Sequence, residues 1–100
     1  TSFPFPIQRS VRINSEGAVE AVFREHVGTR SQDLEETYHD AGQFYWGRAA
    51  SFLDDVAIFS PASVPVILPR YLVQDIDTLE DWHRAELMFK ALELAGEIVR

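Results

Sequence analysis

One hundred residues, 46% of them apolar and 25% charged, make one domain or part of a larger one, and this balance excludes a disordered chain. Sixteen acidic residues against nine basic ones give a net charge of −7, which opposes non-specific nucleic-acid binding and leaves an anionic substrate in need of a local basic pocket or a bridging cation. With no cysteine, disulfides and thiolate metal sites are excluded, and no apolar run approaches the length of a membrane span, so neither nucleic acid nor membrane is an expected partner.

"TSFPFPIQR" carries no basic leader followed by an apolar segment, so a cytoplasmic location is expected. "PIQRSVRI" (Pro6 to Ile13) alternates, with Ile7, Val11 and Ile13 on one parity and Gln8, Ser10 and Arg12 on the other, and predicts a strand. "NSEG" then reads as a turn and "AVEAVF" (Ala18 to Phe23) as a second strand, which together make a hairpin. "TRSQDLEETY" has room for one short helical turn, started by Ser31 or Asp33. "HDAGQFYWGR" (His39 to Arg48), bracketed by Gly42 and Gly47, predicts a short buried strand, whose parity buries Phe44 and sends Gln43 and Tyr45 together to the other side.

"AASFLDD" (Ala49 to Asp55) predicts one or two helical turns. "FSPASVPVILPR" (Phe59 to Arg70), punctuated by three prolines, predicts an irregular or edge segment. "YLVQDID" (Tyr71 to Asp77) predicts a strand. Thr78 followed by Asp81 is a capping-box pattern, after which Trp82, Ala85, Phe89 and Leu92 recur at helical spacing and Gly96 can close the helix. Interleaved strands and helices give an α/β or α+β class.

Four carboxylates, Asp75, Asp77, Glu80 and Asp81, crowd the point where the last strand hands over to the last helix. On a strand, Asp75 and Asp77 leave from one face, at the carboxyl end where open α/β sheets bind ligands. Two carboxylates there suit Mg²⁺, which takes one or two carboxylates plus water and substrate phosphates. The alternative stays open at this point: Asp77 favours the helix dipole, Asp75 is solvated, and Glu80 and Asp81 are capping acids. His26, His39 and His83 have no metal-ligand spacing, Ser31, Ser60 and Ser63 lie in no nucleophile elbow, and no glycine-rich phosphate loop is present.

Taken together, "RSQDLEETYHDAGQFYWGR" and "LPRYLVQDIDTLEDWHRAELMFKAL" resemble the C-terminal half of the bacterial acylneuraminate cytidylyltransferase family, which activates nine-carbon acidic sugars, over about Phe3 to Leu92. "YHDAGQFYWG" and "SPASVPVILPRYLVQDIDT" are most similar to its pseudaminic acid branch. The resemblance implies an α/β fold of the nucleotide-diphospho-sugar-transferase (Rossmann-like) type, Mg²⁺ dependence, a homodimer, and CTP and a nonulosonic acid as substrates. It assigns metal holding to Asp75 and Asp77, and sugar contacts to Gln43 and Tyr45. Arg30 and Gln32 would belong to a dimerisation arm (residues 3–37) that reaches the partner's active site, ahead of a sugar- and metal-site segment with the C-terminal helix (residues 38–100). Where sialic acid synthetases have an asparagine, this chain has Ala41, which moves the expectation away from N-acetylneuraminate, the alternative sugar. The nucleotide-binding half with its phosphate loop is expected to lie outside these residues, together with any general base, so the chain alone is expected to be inactive. The rival expectation is a non-catalytic acidic dimerisation or interaction module.

Overall fold

The computed structural model describes residues 1–98. Residues 99 and 100, the end of the expected 38–100 segment, lie outside the described residues. The chain divides into two units, one of Thr1–Asp40 and one running from Ala41 onward.

The first unit is built on an antiparallel hairpin of β1 (Val11–Ile13) and β2 (Val19–Ala21), in the register Val11 to Ala21, Arg12 to Glu20 and Ile13 to Val19. Its turn forms where "NSEG" predicts it. The Asn14 side chain accepts from the Glu16 and Ala18 amides (3.0 and 2.9 Å), and Gly17 takes φ +78°, a conformation open to glycine without a Cβ penalty. Opposite charges face each other across the ladder, Arg12 Nε lying 3.5 Å from Glu20 Oε1. The same ladder puts Val11, Ile13 and Val19 on the other face, where they stay exposed.

The strand predicted over Pro6 to Ile13 is shorter than its alternation suggests. Ile7–Arg9 is a single 3₁₀ turn, because Pro6 fixes its own backbone and its carbonyl and that of Ile7 accept locally from Arg9 and Ser10 (3.1 and 3.0 Å). The helical turn expected near Ser31 is present as a 3₁₀ turn, Ser31–Asp33. The two ends of the unit meet through an antiparallel bridge between Ser2 and Tyr38, and the Phe3 and His39 rings touch with centroids 4.9 Å apart.

The second unit carries α1 (Ala49–Leu53) and α2 (Leu79–Leu94), with a 3₁₀ turn at Arg70–Leu72 between them. The run from Phe59 to Pro69 holds no regular element, as its prolines require. Two predicted strands are not formed. Residues 39–48 form no strand and none of them is buried: Gly42 turns the chain at φ +68°, and Phe44, Tyr45 and Trp46 beyond it are exposed, so the parity that would bury Phe44 does not operate. Residues 71–77 open inside the 3₁₀ turn and continue extended from Val73 (φ −123°, ψ 123°), with no strand beside them among the described residues. A strand needs a ladder partner, and alternation alone cannot supply one.

Helix α2 matches its sequence signals end by end. Thr78 and Asp81 form the reciprocal capping box. At the other end Gly96 donates to Glu93 and Glu97 donates to Leu92 (3.1 and 3.0 Å), which is a Schellman closure. The architecture is a small mixed α/β one, a two-strand antiparallel hairpin and one long helix joined by turns and extended runs. Val73 is the one buried residue among those described.

Candidate functional site

The acidic run resolves into different jobs. Asp81 Oδ2 accepts from the Asp77 amide, the Thr78 amide and the Thr78 hydroxyl at 3.1, 2.9 and 2.8 Å, and the Asp81 amide returns a bond to Thr78 Oγ1. The Thr78 hydroxyl first, then the two amides, hold the Asp81 carboxyl below its ordinary pKa. This group is therefore committed to the helix start, and it anchors the backbone of Asp77 as it does so. Glu80 sits in the first helical turn, where negative charge suits the dipole.

Asp75 and Asp77 differ from both. Each is exposed, and neither carboxylate belongs to the ion pairs Arg12–Glu20 and Arg30–Asp33 seen among the described residues. Two exposed carboxylates thus stand within three positions of each other just ahead of α2.

A second segment lies against this run. Gln43 Nε2 donates to the Leu72 carbonyl at 2.9 Å. Gly42 approaches so closely that a Cβ on it would stand 3.7 Å from Asp75 Oδ1. These two contacts hold the loop of Gly42 and Gln43 beside the run from Leu72 to Asp75. Tyr45, half exposed, lies two residues further along the same loop. Of the residues singled out in the sequence, Gln43 and Asp75 are thus brought together from 32 positions apart, with Asp77 and Tyr45 adjoining in the chain.

Arg30 and Gln32 lie in the other unit. Arg30 Nε pairs with Asp33 Oδ2 at 2.9 Å across one turn, with both side chains largely exposed, and Gln32 is exposed within that turn. An exposed pair of this kind contributes little stability, so the guanidinium is held only weakly.

Sequence reading passed over Gln74. Its Nε2 donates to the Asp75 carbonyl at 2.7 Å, and its Oε1 is enclosed without a donor among the described residues. Only its position beside Asp75 could have marked it. His39 is engaged by Phe3 and the Asp40 carbonyl, and His26 lies 3.4 Å from the Thr29 hydroxyl, so both have local structural roles. No group of three or more His, Cys, Asp or Glu side chains gathers to form a metal cage among the described residues. Among them, too, no helix is long and apolar enough to cross a membrane.

No protein-family model matches the chain. Individual relatives do. The chain is 43% identical over 90 residues, 90% of its length, to a pseudaminic acid cytidylyltransferase of Campylobacter jejuni. It matches the corresponding protein of a second Campylobacter jejuni strain to the same extent. It is also 41% identical over 76 residues to a Helicobacter pylori protein named as both a pseudaminic acid cytidylyltransferase and a UDP-2,4-diacetamido-2,4,6-trideoxy-beta-L-altropyranose hydrolase. The chain spans 39% of the length of the Campylobacter proteins and 15% of the Helicobacter one.

Proposed function

We propose that these residues form the C-terminal part of a nucleotidyltransferase that transfers CMP from CTP to pseudaminic acid or a closely similar nine-carbon acidic sugar, with release of pyrophosphate. The observation that carries this reading is the 43% identity over 90% of the chain to proteins named for that transfer. The contact of the Gln43 loop with the Asp75 run supports it, because a sugar-orienting segment and an acidic segment then face one substrate. The finer fold assignment, a nucleotide-diphospho-sugar-transferase type with residues 3–37 as a dimerisation arm and residues 38–100 as the sugar- and metal-site segment, belongs to the same proposal. So does a homodimer, which the exposed apolar residues Val11, Ile13 and Val19 on one face of the hairpin support.

Asp75 and Asp77 fit Mg²⁺ by their chemistry. They are exposed oxygen donors, and two carboxylates leave coordination positions for water and phosphate. A cation held there would offset the charge of the triphosphate during transfer. The remaining work falls to the chain. Gln43 and Tyr45 orient the sugar so that its anomeric hydroxyl oxygen attacks the α-phosphorus. The new bond joins that oxygen to phosphorus, the hydroxyl proton passes to a general base that this reading places outside these residues, the bond to the α,β-bridging oxygen breaks, and pyrophosphate departs. Such transfers are catalysed mainly by positioning and charge neutralisation. Arg30 and Gln32, on the arm, would meet the substrate of the partner protomer.

The test is product formation by the intact enzyme. Incubated with CTP and Mg²⁺, it should release pyrophosphate with pseudaminic acid faster than with N-acetylneuraminic acid, since Ala41 stands where sialic acid synthetases have asparagine. The opposite order would overturn the sugar assignment, and no release with any nonulosonic acid would overturn the function.

A further inference from the structure

The short span that carries the two exposed carboxylates is held at each end by a side chain bonded to the main chain. The Asp77 amide donates to Asp81 Oδ2 at 3.1 Å, so the helix cap fixes the backbone on that side. Among the described residues, no backbone amide or carbonyl from Gln74 to Ile76 takes part in a backbone–backbone hydrogen bond. The Asp75 carbonyl accepts instead from Gln74 Nε2, at 2.7 Å.

The other end of the Gln74 amide adds no stability. Its Oε1 is enclosed and has no donor among the described residues. An enclosed acceptor carries its desolvation cost with no bond to offset it, and methionine or leucine would fill similar space without that cost. The orientation of the amide follows from its partner. Only the nitrogen end can donate to a carbonyl, so turning the group over would lose the bond to Asp75 and enclose an unpaired donor in place of the acceptor. What the amide contributes is therefore placement of the Asp75 peptide.

We propose that Gln74 is a positioning residue for the two carboxylates. By holding the Asp75 carbonyl it sets the peptide plane that follows the Asp75 side chain, and together with the Asp81 cap it fixes the spacing of Asp75 and Asp77. Its own oxygen, being enclosed, is not a ligand. This role rests on the metal assignment proposed above; the bond to Asp75 does not.

Gln74→Met and Gln74→Leu in the intact enzyme each remove donor and acceptor together and leave an apolar side chain. Three readings separate placement from folding. In enzyme labelled at its aspartate carbonyl carbons, the Asp75 carbonyl resonance should move upfield in both variants as its hydrogen bond is lost. The melting temperature should equal or exceed the wild-type value, because the enclosed acceptor is gone. With substrates absent, the dissociation constant for Mn²⁺, read from the electron paramagnetic resonance of the free ion, should rise about fivefold, the value of one ordinary hydrogen bond. An unmoved resonance would overturn the bond to Asp75. A melting temperature below wild type in either variant would make the role structural and overturn the positioning. A Mn²⁺ constant that is measurable in the wild type and unchanged in the variants would overturn the positioning alone. Wild-type enzyme that takes up no Mn²⁺ would overturn the metal assignment and the positioning with it, and the resonance would still decide the bond.

Discussion

Tyr45 carries the plainest prediction at the scale of single residues. It lies two positions beyond Gln43 on a loop held at Leu72, and half of its surface is open to a ligand. Its ring can cover an apolar face of a sugar while the hydroxyl meets a polar group. Tyr45→Ala should therefore raise the KM for the sugar about tenfold while leaving that for CTP near its original value. Steady-state kinetics with each substrate varied in turn checks this, and equal effects on both would remove Tyr45 from the sugar site. The residue types here were readable from the sequence, but their geometry was not. Strand parity put Gln43 and Tyr45 side by side on a buried element, whereas a left-handed glycine at 42 makes the segment an exposed loop. The tether to Leu72 could not be read at all, since a hydrogen bond between positions 29 apart leaves no local pattern.

Helix α2 shows the opposite balance. Its start and end are set by bonds within five positions, Thr78 with Asp81 and Glu97 with Leu92 among them, so the sequence carries them completely. The strands fail for the converse reason, that a ladder depends on a distant partner. The cap also makes the helix acid-sensitive. The Asp81 carboxyl is lowered from the ordinary 3.8 by the Thr78 hydroxyl and the two amides it accepts from. A depressed folded value means that its contribution is complete above the unfolded value of 3.8 and is lost as pH falls through the folded value below it. The start of α2 should thus hold from neutral pH to about 4 and loosen further down, seen as a decline in far-ultraviolet circular dichroism. Asp81→Asn should weaken the start at neutral pH and flatten that acid dependence. Thr78→Ala, which removes the hydroxyl half of the box, should cost about 1 kcal/mol at neutral pH. An unchanged acid profile in Asp81→Asn would take the cap out of the account.

For the molecule as a whole, charge and burial point the same way. In the second unit Ile76, Trp82, Ala85 and Phe89 line an open groove of about 360 Å³ along α2, edged by Glu86, Lys90 and Glu93, and Trp82 remains 56% exposed. Under the proposed function this groove is covered by the part of the enzyme beyond these residues, consistent with a chain that spans 39% of its Campylobacter relatives. A triphosphate needs several convergent donors, usually loop amides with lysine or arginine. The 100-residue chain, at net −7 and without a glycine-rich loop, offers none of that arrangement. It should bind Mg·CTP no tighter than millimolar by isothermal titration and release no pyrophosphate. Micromolar binding would put a nucleotide site inside these residues. The family resemblance was legible because "YHDAGQFYWG" and "LVQDIDT" stand in order along the chain; the uncovered surfaces were not, since exposure is a property of the assembled fold.

The central claim of the proposal, that Asp75 and Asp77 hold the metal of a cytidylyl transfer, rests on two exposed carboxylates with no ion pair among the described residues, beside the loop of Gly42 and Gln43. It is tested most directly by pyrophosphate release from the intact enzyme carrying Asp75→Asn or Asp77→Asn, measured across a Mg²⁺ titration. Each substitution keeps the size of the side chain, leaves the Asp81 cap intact and removes one negative ligand. The account predicts a fall in turnover on the order of a hundredfold, partly recovered at high Mg²⁺, with the helical signal unchanged. Turnover near the wild-type rate at every Mg²⁺ concentration, in either variant, would contradict it.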